Sequence, residues 1–311
     1  MKTHLLPAGM NRFKVNLHCH STFSDGKFTV EELKRVYLEK GYSAVAFSDH
    51  NVLVPHPELA SEDFVPITAT EINVDGANKK TYHLNFYSPD PARNEFPAFE
   101  RVYGVEKINA LIKLANDNGF LSQYNHPRWS YQNAADYAGL KGLWGFEVYN
   151  HGCEHDMHDG WGDYEYEILC REGKEYPAAV ATDDNHNASM DVNSPYSDSF
   201  GGWTSVFAPE LTYGALFEAL KKRDCYASMG PEIDSLYVNG GKLYVECSPV
   251  CSAMLRFESR RTPRVFSHGD EITKAEFDIT GEYDHFRLEL KDTHGRKAIT
   301  RAYRRTEIPQ V

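Results

Sequence analysis

Residues 13–51 read FKVNLHCHSTFSDGKFTVEELKRVYLEKGYSAVAFSDHN. The first part, FKVNLHCH, alternates in a way that is typical of a short strand. A capping box of Thr29 and Glu32 then begins a helix that Gly41 is placed to end. A second, apolar strand, YSAVAFS, follows at once. This order of strand, helix and strand predicts a βαβ unit and therefore a parallel sheet.

The same pattern continues as far as residue 231. Further apolar runs that turn polar at one end are FVPITATEI, KTYHLNFY, FLSQYNHP, GLWGFEVYN and YPAAVATDDNH. Apolar residues recur three and four apart at 98–117 and 210–222, as they do in amphipathic helices. We therefore predict an α/β domain over residues 1–231, in which parallel strands form a TIM-like barrel.

The pattern changes in residues 232–311. Short alternating segments such as SLYVNGGKLYVECS and HFRLELKD are separated there by Gly, Asn, Asp and Pro. The pair Asn239 and Gly240 is a hairpin signal. These residues predict a C-terminal domain that is an antiparallel β-sandwich.

The composition limits the kind of protein this is. A chain of 311 residues with 41% hydrophobic and 25% charged residues is typical of a globular protein. It has no apolar run of the roughly 18 residues that a membrane helix needs and no signal-peptide core, so we expect a cytoplasmic protein without membrane contact. The six cysteines lack paired spacing and are expected to be reduced.

The net charge of −12 bears on the partners of the chain. A nucleic-acid surface requires clustered Lys and Arg, so this charge argues against one and favours a small substrate. Cations bound in the site would still let an anionic substrate approach. Whether the chain forms a homo-oligomer is left open.

Residues of types that can bind a metal stand at or near the ends of the predicted strands. They are His18, His20, His50, Glu71, His126, Glu147, Asp184 and His186. Because active sites of barrel enzymes lie at the carboxyl ends of the strands, we expect these side chains to meet. His18 and His20 are alternate residues of one strand and would face the same side, with Cys19 on the other. This arrangement predicts a metal site.

Each candidate also has a plainer interpretation. An isolated histidine is usually a surface or hydrogen-bonded residue, and we interpret His4, His56, His268, His285 and His294 in this way. A carboxylate after an apolar run, such as Glu71, would be costly to bury unless a metal or hydrogen bonds compensated it.

The motifs LHCHSTFSDG, FSDHN, TEI, YHLNFY, NHPR and TDDNH, in that order, resemble those of the PHP family, the polymerase and histidinol phosphatase superfamily of metal-dependent phosphoesterases. The resemblance covers roughly residues 13 to 230. It implies a distorted (β/α)7 barrel with three divalent metal ions at its mouth.

The resemblance also implies how the ligands are divided among the ions. His18, His20, Glu71 and Asp184 would surround the first ion. Glu71 would bridge to a second ion held by His83 and His126. Asp25, His50 and His186 would hold the third. Imidazole and carboxylate ligands suit Mn, Fe or Zn, so the ligand types do not identify which of these metals is bound.

From this ligand set we predict hydrolysis of a phosphomonoester or phosphodiester by a metal-bridging hydroxide. Glu71 and Asp184 would be the catalytic carboxylates. Arg128 is the candidate clamp for the substrate phosphate, or else forms a surface salt bridge. Tyr149 and Asn150 are further candidates for substrate binding.

The chain departs from the family pattern in two places. An additional acid, Asp183, precedes Asp184, and we assign the ligand to Asp184 because it preserves the D-x-H spacing with His186. The second departure is the loop at 150–163, where His151, His155 and His158 have no clear family role. They are surface histidines, substrate contacts or ligands of an extra metal.

Two alternatives to phosphoester cleavage remain open. The segment SMGPEI at 228–233 and the β-domain also resemble a branch of the family with a carbamate hydrolase, so the bond cleaved could belong to a carbamate, amide or ester. The chain could also be a metal-binding module without catalytic activity.

Overall fold

The computed structural model describes residues 2–308. Its α-helices are α1 Val30–Glu39, α2 Val105–Asp117, α3 Ala134–Tyr137, α4 His151–Met157, α5 Asp163–Ile168 and α6 Tyr213–Lys222. Its strands are β1 Thr3–His4, β2 Asn11–Cys19, β3 Ala44–Phe47, β4 Val65–Asp75, β5 Thr81–Tyr87, β6 Leu121–Tyr124, β7 Gly145–Asn150, β8 Ala178–Thr182, β9 Trp203–Ala208, β10 Cys225–Ser228, β11 Ile233–Asn239, β12 Lys242–Val250, β13 Ser252–Phe257, β14 Arg264–Phe266, β15 Ile272–Asp278, β16 His285–Lys291, β17 Lys297–Thr300 and β18 Tyr303–Arg304.

The chain has a mixed α/β fold built on one large sheet, in which β2 to β8 are neighbours in sequence order. The strands β2, β3 and β4 are parallel, as are β6, β7 and β8. The prediction that all of these strands are parallel is wrong at β5, which is antiparallel to both β4 and β6. The connection from β4 to β5 is too short for the crossover that a parallel pair requires.

The two ends of this run of strands approach each other. Past the end of β8, the amide of Asp184 donates to the carbonyl of His18 (2.9 Å). The amide of His20 donates in turn to the carbonyl of Asn185 (3.1 Å). These hydrogen bonds bring the residues that follow β8 beside the end of β2.

The helix predicted over residues 98–117 begins later than its pattern indicates, and α4 forms in a segment predicted as a loop. The capping box of Thr29 and Glu32 is present at the start of α1, which buries Leu33 and Tyr37 against the sheet. The helix predicted from residue 98 begins only at Val105, after Gly104. Gly104 has a φ of 134°, which lies outside the helical range and separates residues 98–103 from the helix.

The C-terminal residues form two antiparallel layers. The strands β13, β14, β16 and β17 extend the large sheet beyond β10, and a separate antiparallel sheet has the order β1, β11, β12, β15. Leu236, Val245, Leu255 and Leu288 are buried in the core that these layers share. Because β1 pairs with β11, residues 3–4 lie with the C-terminal strands. The domain boundary after residue 231 stays a prediction.

A buried ionic network joins the C-terminal strands to helix α5. Arg287 on β16 is fully buried and donates to Glu167 of α5 and to Glu289 (3.1 Å). His285 Nε2 also lies 3.1 Å from Glu167 Oε1. A second ion pair joins Lys297 Nζ to Asp163 Oδ2 at 3.1 Å. These contacts tie α5 to β16 and β17.

The six cysteines are free thiols. Among the helices formed by residues 2–308, none combines the length and the apolar character needed to cross a membrane.

Candidate metal centre

The predicted ligands enter the site from the ends of neighbouring strands. His18 is the last residue but one of β2, and His20 follows that strand directly. His126 and Asp184 come just after β6 and β8. Both have a left-handed backbone, with φ of 24° and 51°. Such conformations are uncommon for residues with side chains and are often found at functional sites.

Glu71 lies at the centre of the cluster and is fully buried. Its carboxylate oxygens lie within hydrogen-bonding distance of five imidazoles. They are those of His18 (3.2 Å), His20 (3.4 Å), His50 (3.0 Å), His83 (3.1 Å) and His126 (3.3 Å). One carboxylate therefore contacts five histidines from four different segments of the chain.

Asp184 is the second shared carboxylate. Its Oδ1 lies 3.1 Å from His18 Nε2 and 3.0 Å from His20 Nε2. Its Oδ2 lies 3.6 Å from His126 Nε2. Glu71 and Asp184 thus contact the same three imidazoles and together form the centre of the cluster.

A more open group lies beside this buried pair. Asp25, whose side chain is 55% exposed, has its carboxylate 3.7 Å from His50 Nε2 and 3.4 Å from His186 Nε2. His20 Nδ1 lies 3.9 Å from the same carboxylate. The structure thus brings together all nine residues that were predicted as metal ligands.

His83 reaches the cluster because β5 is antiparallel. It lies near the start of β5 and pairs in register with Asn73 of β4. The start of an antiparallel strand lies at the same edge of the sheet as the carboxyl ends of its neighbours. The strand direction that contradicts the sequence prediction is therefore what places His83 beside Glu71.

Glu147 contacts two of the predicted ligand residues, His18 and His126. Its Oε1 lies 3.0 Å from His18 Nδ1, and its Oε2 accepts the backbone amide of His126 at 3.0 Å. Thr182 Oγ1 also donates to it. A carboxylate on Nδ1 of a histidine directs the lone pair of Nε2 toward a metal. Glu147 thereby orients His18.

Asn150 was predicted to bind substrate, but it is fully buried. Its Nδ2 donates to Glu147 Oε2 and to Asp184 Oδ2, both at 2.9 Å. Its Oδ1 accepts the amide of Cys153 (2.8 Å) and caps α4. With these bonds Asn150 holds Asp184 in place and has no free polar atom for a substrate.

Arg128 and Tyr149, the other two candidates for substrate binding, do not line the cavity over the cluster. Arg128 Nε donates to Glu165 Oε1 (2.9 Å). The Tyr149 hydroxyl lies 2.9 Å from His151 Nδ1, and its ring packs on Trp161. The structure therefore does not support a direct contact of either residue with substrate.

Asp183, the additional acid, binds backbone amides and a tyrosine hydroxyl instead of the histidine cluster. Its oxygens accept the backbone amides of Phe200 (2.8 Å), Gly201 (2.9 Å) and Gly202 (3.0 Å) and the hydroxyl of Tyr37 (2.8 Å). Burial raises its pKa to about 6. Because these donors occupy both oxygens, Asp183 anchors residues 200–202, and only Asp184 joins the cluster.

The charges of the cluster shift the pKa values of its members. Burial lowers the pKa of His18, but Asp184 and Glu71 outweigh it and hold that pKa well above its ordinary value. Burial raises the pKa of Glu71, yet His18 and His83 hold it well below its usual range. The carboxylates thus stay ionised, and their charge calls for compensation by protonated imidazoles or by metal cations.

The unpaired atoms of the cluster fit metal ions. Glu71 Oε2, Asp184 Oδ1 and His50 Nδ1 are buried and make no hydrogen bond with any described residue. Glu71 Oε2 and His50 Nδ1 lie 3.0 Å apart without the alignment of a hydrogen bond. Polar atoms that converge without pairing are expected around a shared cation. The donor set of imidazoles and carboxylates suits Mn, Fe or Zn.

A cavity of about 420 Å³ opens over the cluster. The sequence missed several of its lining residues, among them Trp129, Asp156, Tyr196 and Asp198. They lie in connections after strands, where periodicity carries no signal. His155 belongs to α4, so the segment predicted as a loop is partly helical and one of its three histidines faces the cavity.

Comparison with known families gives a match over the first part of the chain. Residues 16–190 match the PHP domain family. This segment contains all nine predicted metal ligands and is more than half of the chain.

One curated relative shares a short segment. The DNA polymerase/3'-5' exonuclease PolX of Bacillus subtilis (strain 168) is 40% identical over 42 residues. The match covers 14% of this chain and only 7% of that protein.

Two solved structures are similar at low sequence identity. A two-domain protein from Bacteroides vulgatus ATCC 8482, containing a predicted PHP-like metal-dependent phosphoesterase, is 15% identical with a TM-score of 0.49, over 96% of this chain and 98% of that one. An amidohydrolase from Chromobacterium violaceum, with bound SO4 and no metal, is 14% identical with a TM-score of 0.41, over 59% of this chain and 93% of that one.

Proposed function

The chain belongs to the PHP domain family, and on that premise we propose that it is a metal-dependent hydrolase of small phosphomonoesters or phosphodiesters. The observation that carries this proposal is the position of Glu71, whose two oxygens face five imidazoles. A carboxylate in such a position suits a bridge between two cations. We also infer that β2 to β8 form a distorted seven-stranded barrel, with this site at its mouth.

The proposed site holds three divalent ions, of Mn, Fe or Zn. His18, His20, Glu71 and Asp184 would hold the first, and His83 and His126 would hold the second together with Glu71. Asp25, His50 and His186 would hold the third. Two of these groups are supported by sets of converging ligand atoms, namely His18, His20, Glu71 and Asp184, and His20, Asp25, His50 and His186. A further set, His50, Glu71 and His83, shares Glu71 and His83 with the proposed second group but contains His50 in place of His126.

Divalent ions in this site would lower the pKa of a bound water and bind phosphoryl oxygens. The chain's own residues keep the ligands in position for that chemistry. Glu147 directs Nε2 of His18 toward the cluster, and Asn150 holds the carboxylate of Asp184. The indole of Trp129 packs against His126, with ring centroids 5.1 Å apart, and covers one side of the cluster.

The lining of the cavity suggests how a phosphate would be bound. Among the described residues that line it, none is Lys or Arg. Arg128, predicted as the clamp, is held by Glu165. The charge of the phosphoryl group would therefore be met by the metal ions. The volume of about 420 Å³ suits a small ester.

Metal analysis and a substrate panel test this proposal. Purified protein reconstituted with Mn, Fe or Zn should contain two to three metal ions per chain by elemental analysis, and Glu71→Gln should contain fewer. It should hydrolyse aryl phosphomonoesters or phosphodiesters, and chelation should abolish the activity. Turnover of carbamates or amides without turnover of phosphate esters would contradict the proposal and favour a carbonyl substrate. No turnover at full metal loading would favour a non-catalytic metal-binding module.

A further inference from the structure

A second cavity adjoins the metal centre at Trp129. It has a volume of about 410 Å³, enough for an organic group of moderate size. The side chains of Lys79, Lys80, Thr81, Trp129, Tyr131 and Met157 contribute to its lining. We refer to these six residues as the aromatic subsite.

Trp129 is the wall that this subsite shares with the metal cavity. It lines both cavities. Its ring centroid lies 5.1 Å from that of His126 and 5.6 Å from that of His83. Its Nε1 donates to Asp156 Oδ2 at 2.9 Å, which fixes the indole. A molecule whose phosphoryl group lies at the metal ligands therefore needs to extend only past this indole to enter the subsite.

Two turns that are bonded to each other build the subsite. Lys79 lies in the turn between β4 and β5, and Tyr131 lies in the turn after β6. The amide of Thr81 donates to the carbonyl of Ser130 (3.4 Å), and Lys80 Nζ donates to Asp136 Oδ2 (2.6 Å). These bonds fix the two turns relative to each other.

Lys79 and Tyr131 both have uncommon backbone conformations. Tyr131 has a φ of 53° and Lys79 a φ of 63°, in the left-handed region that residues with side chains seldom adopt. The amide of Tyr131 donates to the carbonyl of Arg128 (2.9 Å), which stabilises its turn. Tyr131 is nevertheless 58% exposed. The turn thus holds an aromatic ring in contact with solvent.

The apolar members of the subsite suit an aromatic ligand. Tyr131 and Met157 are 58% and 40% exposed, although both are large and apolar. Indole and phenol rings bind other rings by stacking or by edge contacts, and a methionine sulfur also packs favourably on a ring. An aromatic group placed beside Trp129 would cover these exposed surfaces.

The charges around the subsite point to an anionic substituent on that ring. The charge of Lys80 is compensated by Asp136, whereas Lys79 forms no ion pair with any residue of 2–308. Asp75 also lines the subsite, and it accepts a hydrogen bond from Asn73 Nδ2 (3.4 Å). Because no described Lys or Arg lines the metal cavity, Lys79 is the unpaired lysine available next to it.

We infer that the aromatic subsite binds the organic part of the substrate, and that this part is an aromatic ring with an anionic substituent that pairs with Lys79. The inference rests on the proposed function in one respect, namely that the phosphoryl group occupies the adjoining metal cavity. It adds the chemical class of the leaving group.

Binding of non-hydrolysable phosphonates to the metal-loaded full chain tests the inference by calorimetry. Phenylphosphonate should bind about tenfold more tightly than methylphosphonate, because its ring contacts Trp129 and Tyr131. A carboxylate at the 4-position of the phenyl ring should add about threefold through Lys79, the range expected of an exposed ion pair. Tyr131→Ala should reduce the advantage of the ring, and Lys79→Met should remove the advantage of the carboxylate.

Matched variants provide the controls. Tyr164→Ala removes a tyrosine that is similarly exposed, and Lys222→Met removes a lysine at the end of α6; both should bind the three phosphonates as the unaltered chain does. Equal binding of phenylphosphonate and methylphosphonate would overturn the inference, as would advantages that survive in Tyr131→Ala and Lys79→Met. Failure to hydrolyse any phosphate ester would count against the proposed function alone, because these binding differences do not depend on turnover.

Discussion

Nδ1 of His18 lies 3.0 Å from Oε1 of Glu147, and both side chains are fully buried. A carboxylate at this distance keeps the imidazole proton on Nδ1, so that Nε2 is free to bind a cation beside Glu71 and Asp184. Glu147 also accepts the amide of His126 and the amide group of Asn150. Glu147 therefore positions His18 and His126 directly, and Asp184 through Asn150.

The first prediction follows from this contact. Replacing Glu147 with Gln should lower metal affinity and kcat by about 10-fold to 100-fold, the usual effect of losing a carboxylate behind a metal-binding histidine. Metal titration and steady-state kinetics measure the two effects. Glu106→Gln, an exposed residue in the first turn of α2, is the control and should change neither. Unaltered metal affinity in Glu147→Gln would contradict the role given to Glu147.

The second prediction compares the central carboxylate with the peripheral one. Glu71 contacts five imidazoles, whereas Asp25 lies only beside the more open group. Elemental analysis should therefore show a loss of about two metal ions per chain in Glu71→Gln and of about one in Asp25→Asn. Equal losses in the two variants would show that Glu71 does not join two sites.

Much of the site follows from the sequence because its ligands obey local rules. His18 and His20 are alternate residues of one strand, so a period of two places them on the same side. His126 and Asp184 follow apolar strands, whose carboxyl ends meet in an α/β fold. The helix α1 also begins where the capping box predicts. For these residues, a short segment of sequence carries enough information to predict their position in the fold.

Other features depend on partners that are distant in sequence. The direction of β5 is an exception, because the connection after β4 is too short for a crossover and its length could have indicated an antiparallel pair. The sequence left open whether Arg128 binds a phosphate or forms a salt bridge, and the partner in the salt bridge, Glu165, lies 37 residues further along the chain. The buried setting of Asn150 likewise depends on Asp184, 34 residues away.

The third prediction concerns Arg128. Since its guanidinium is bound to Glu165, we expect it to steady the loop that carries His126 and Trp129. Arg128→Met and Glu165→Gln should lower metal occupancy to a similar small extent, and the double variant should be no worse than either alone. KM for a phosphate ester should change by less than about threefold, because the ion pair is not part of the lining of the metal cavity. A large increase in KM for Arg128→Met alone would instead support the phosphate clamp.

The fourth prediction is a pH dependence of stability. Burial raises the pKa of Glu167, but His285 and Arg287 outweigh it, and the net shift is below the ordinary value of 4.5. A carboxyl whose pKa is depressed on folding stabilises the fold above its unfolded pKa, and this contribution is lost as the pH falls through the folded pKa. Glu167→Gln should therefore reduce the free energy of unfolding by about 3 kcal/mol at pH 7, because it breaks a buried ion pair.

That deficit should shrink below about pH 4.5, where the carboxyl of the unaltered chain begins to lose its own contribution. Urea unfolding at a series of pH values measures it. Glu172→Gln, an exposed glutamate shortly after α5, should show no deficit at any pH. A deficit in Glu167→Gln that stayed constant down to acid pH would argue against the ion pair with Arg287 as its source.

The last prediction concerns the turn that presents Asp25. Gly26 approaches the backbone of His20 so closely that a Cβ would overlap the carbonyl oxygen of His20. In Gly26→Ala the turn must open and move Asp25 away from His50 and His186, so about one metal ion per chain should be lost and kcat should fall. Gly214→Ala is the matched control, because a Cβ there meets open space in α6 and should stabilise the helix by up to about 1 kcal/mol. Elemental analysis separates the two variants, and a full metal complement in Gly26→Ala would show that the turn tolerates a side chain and that Asp25 does not depend on this close approach.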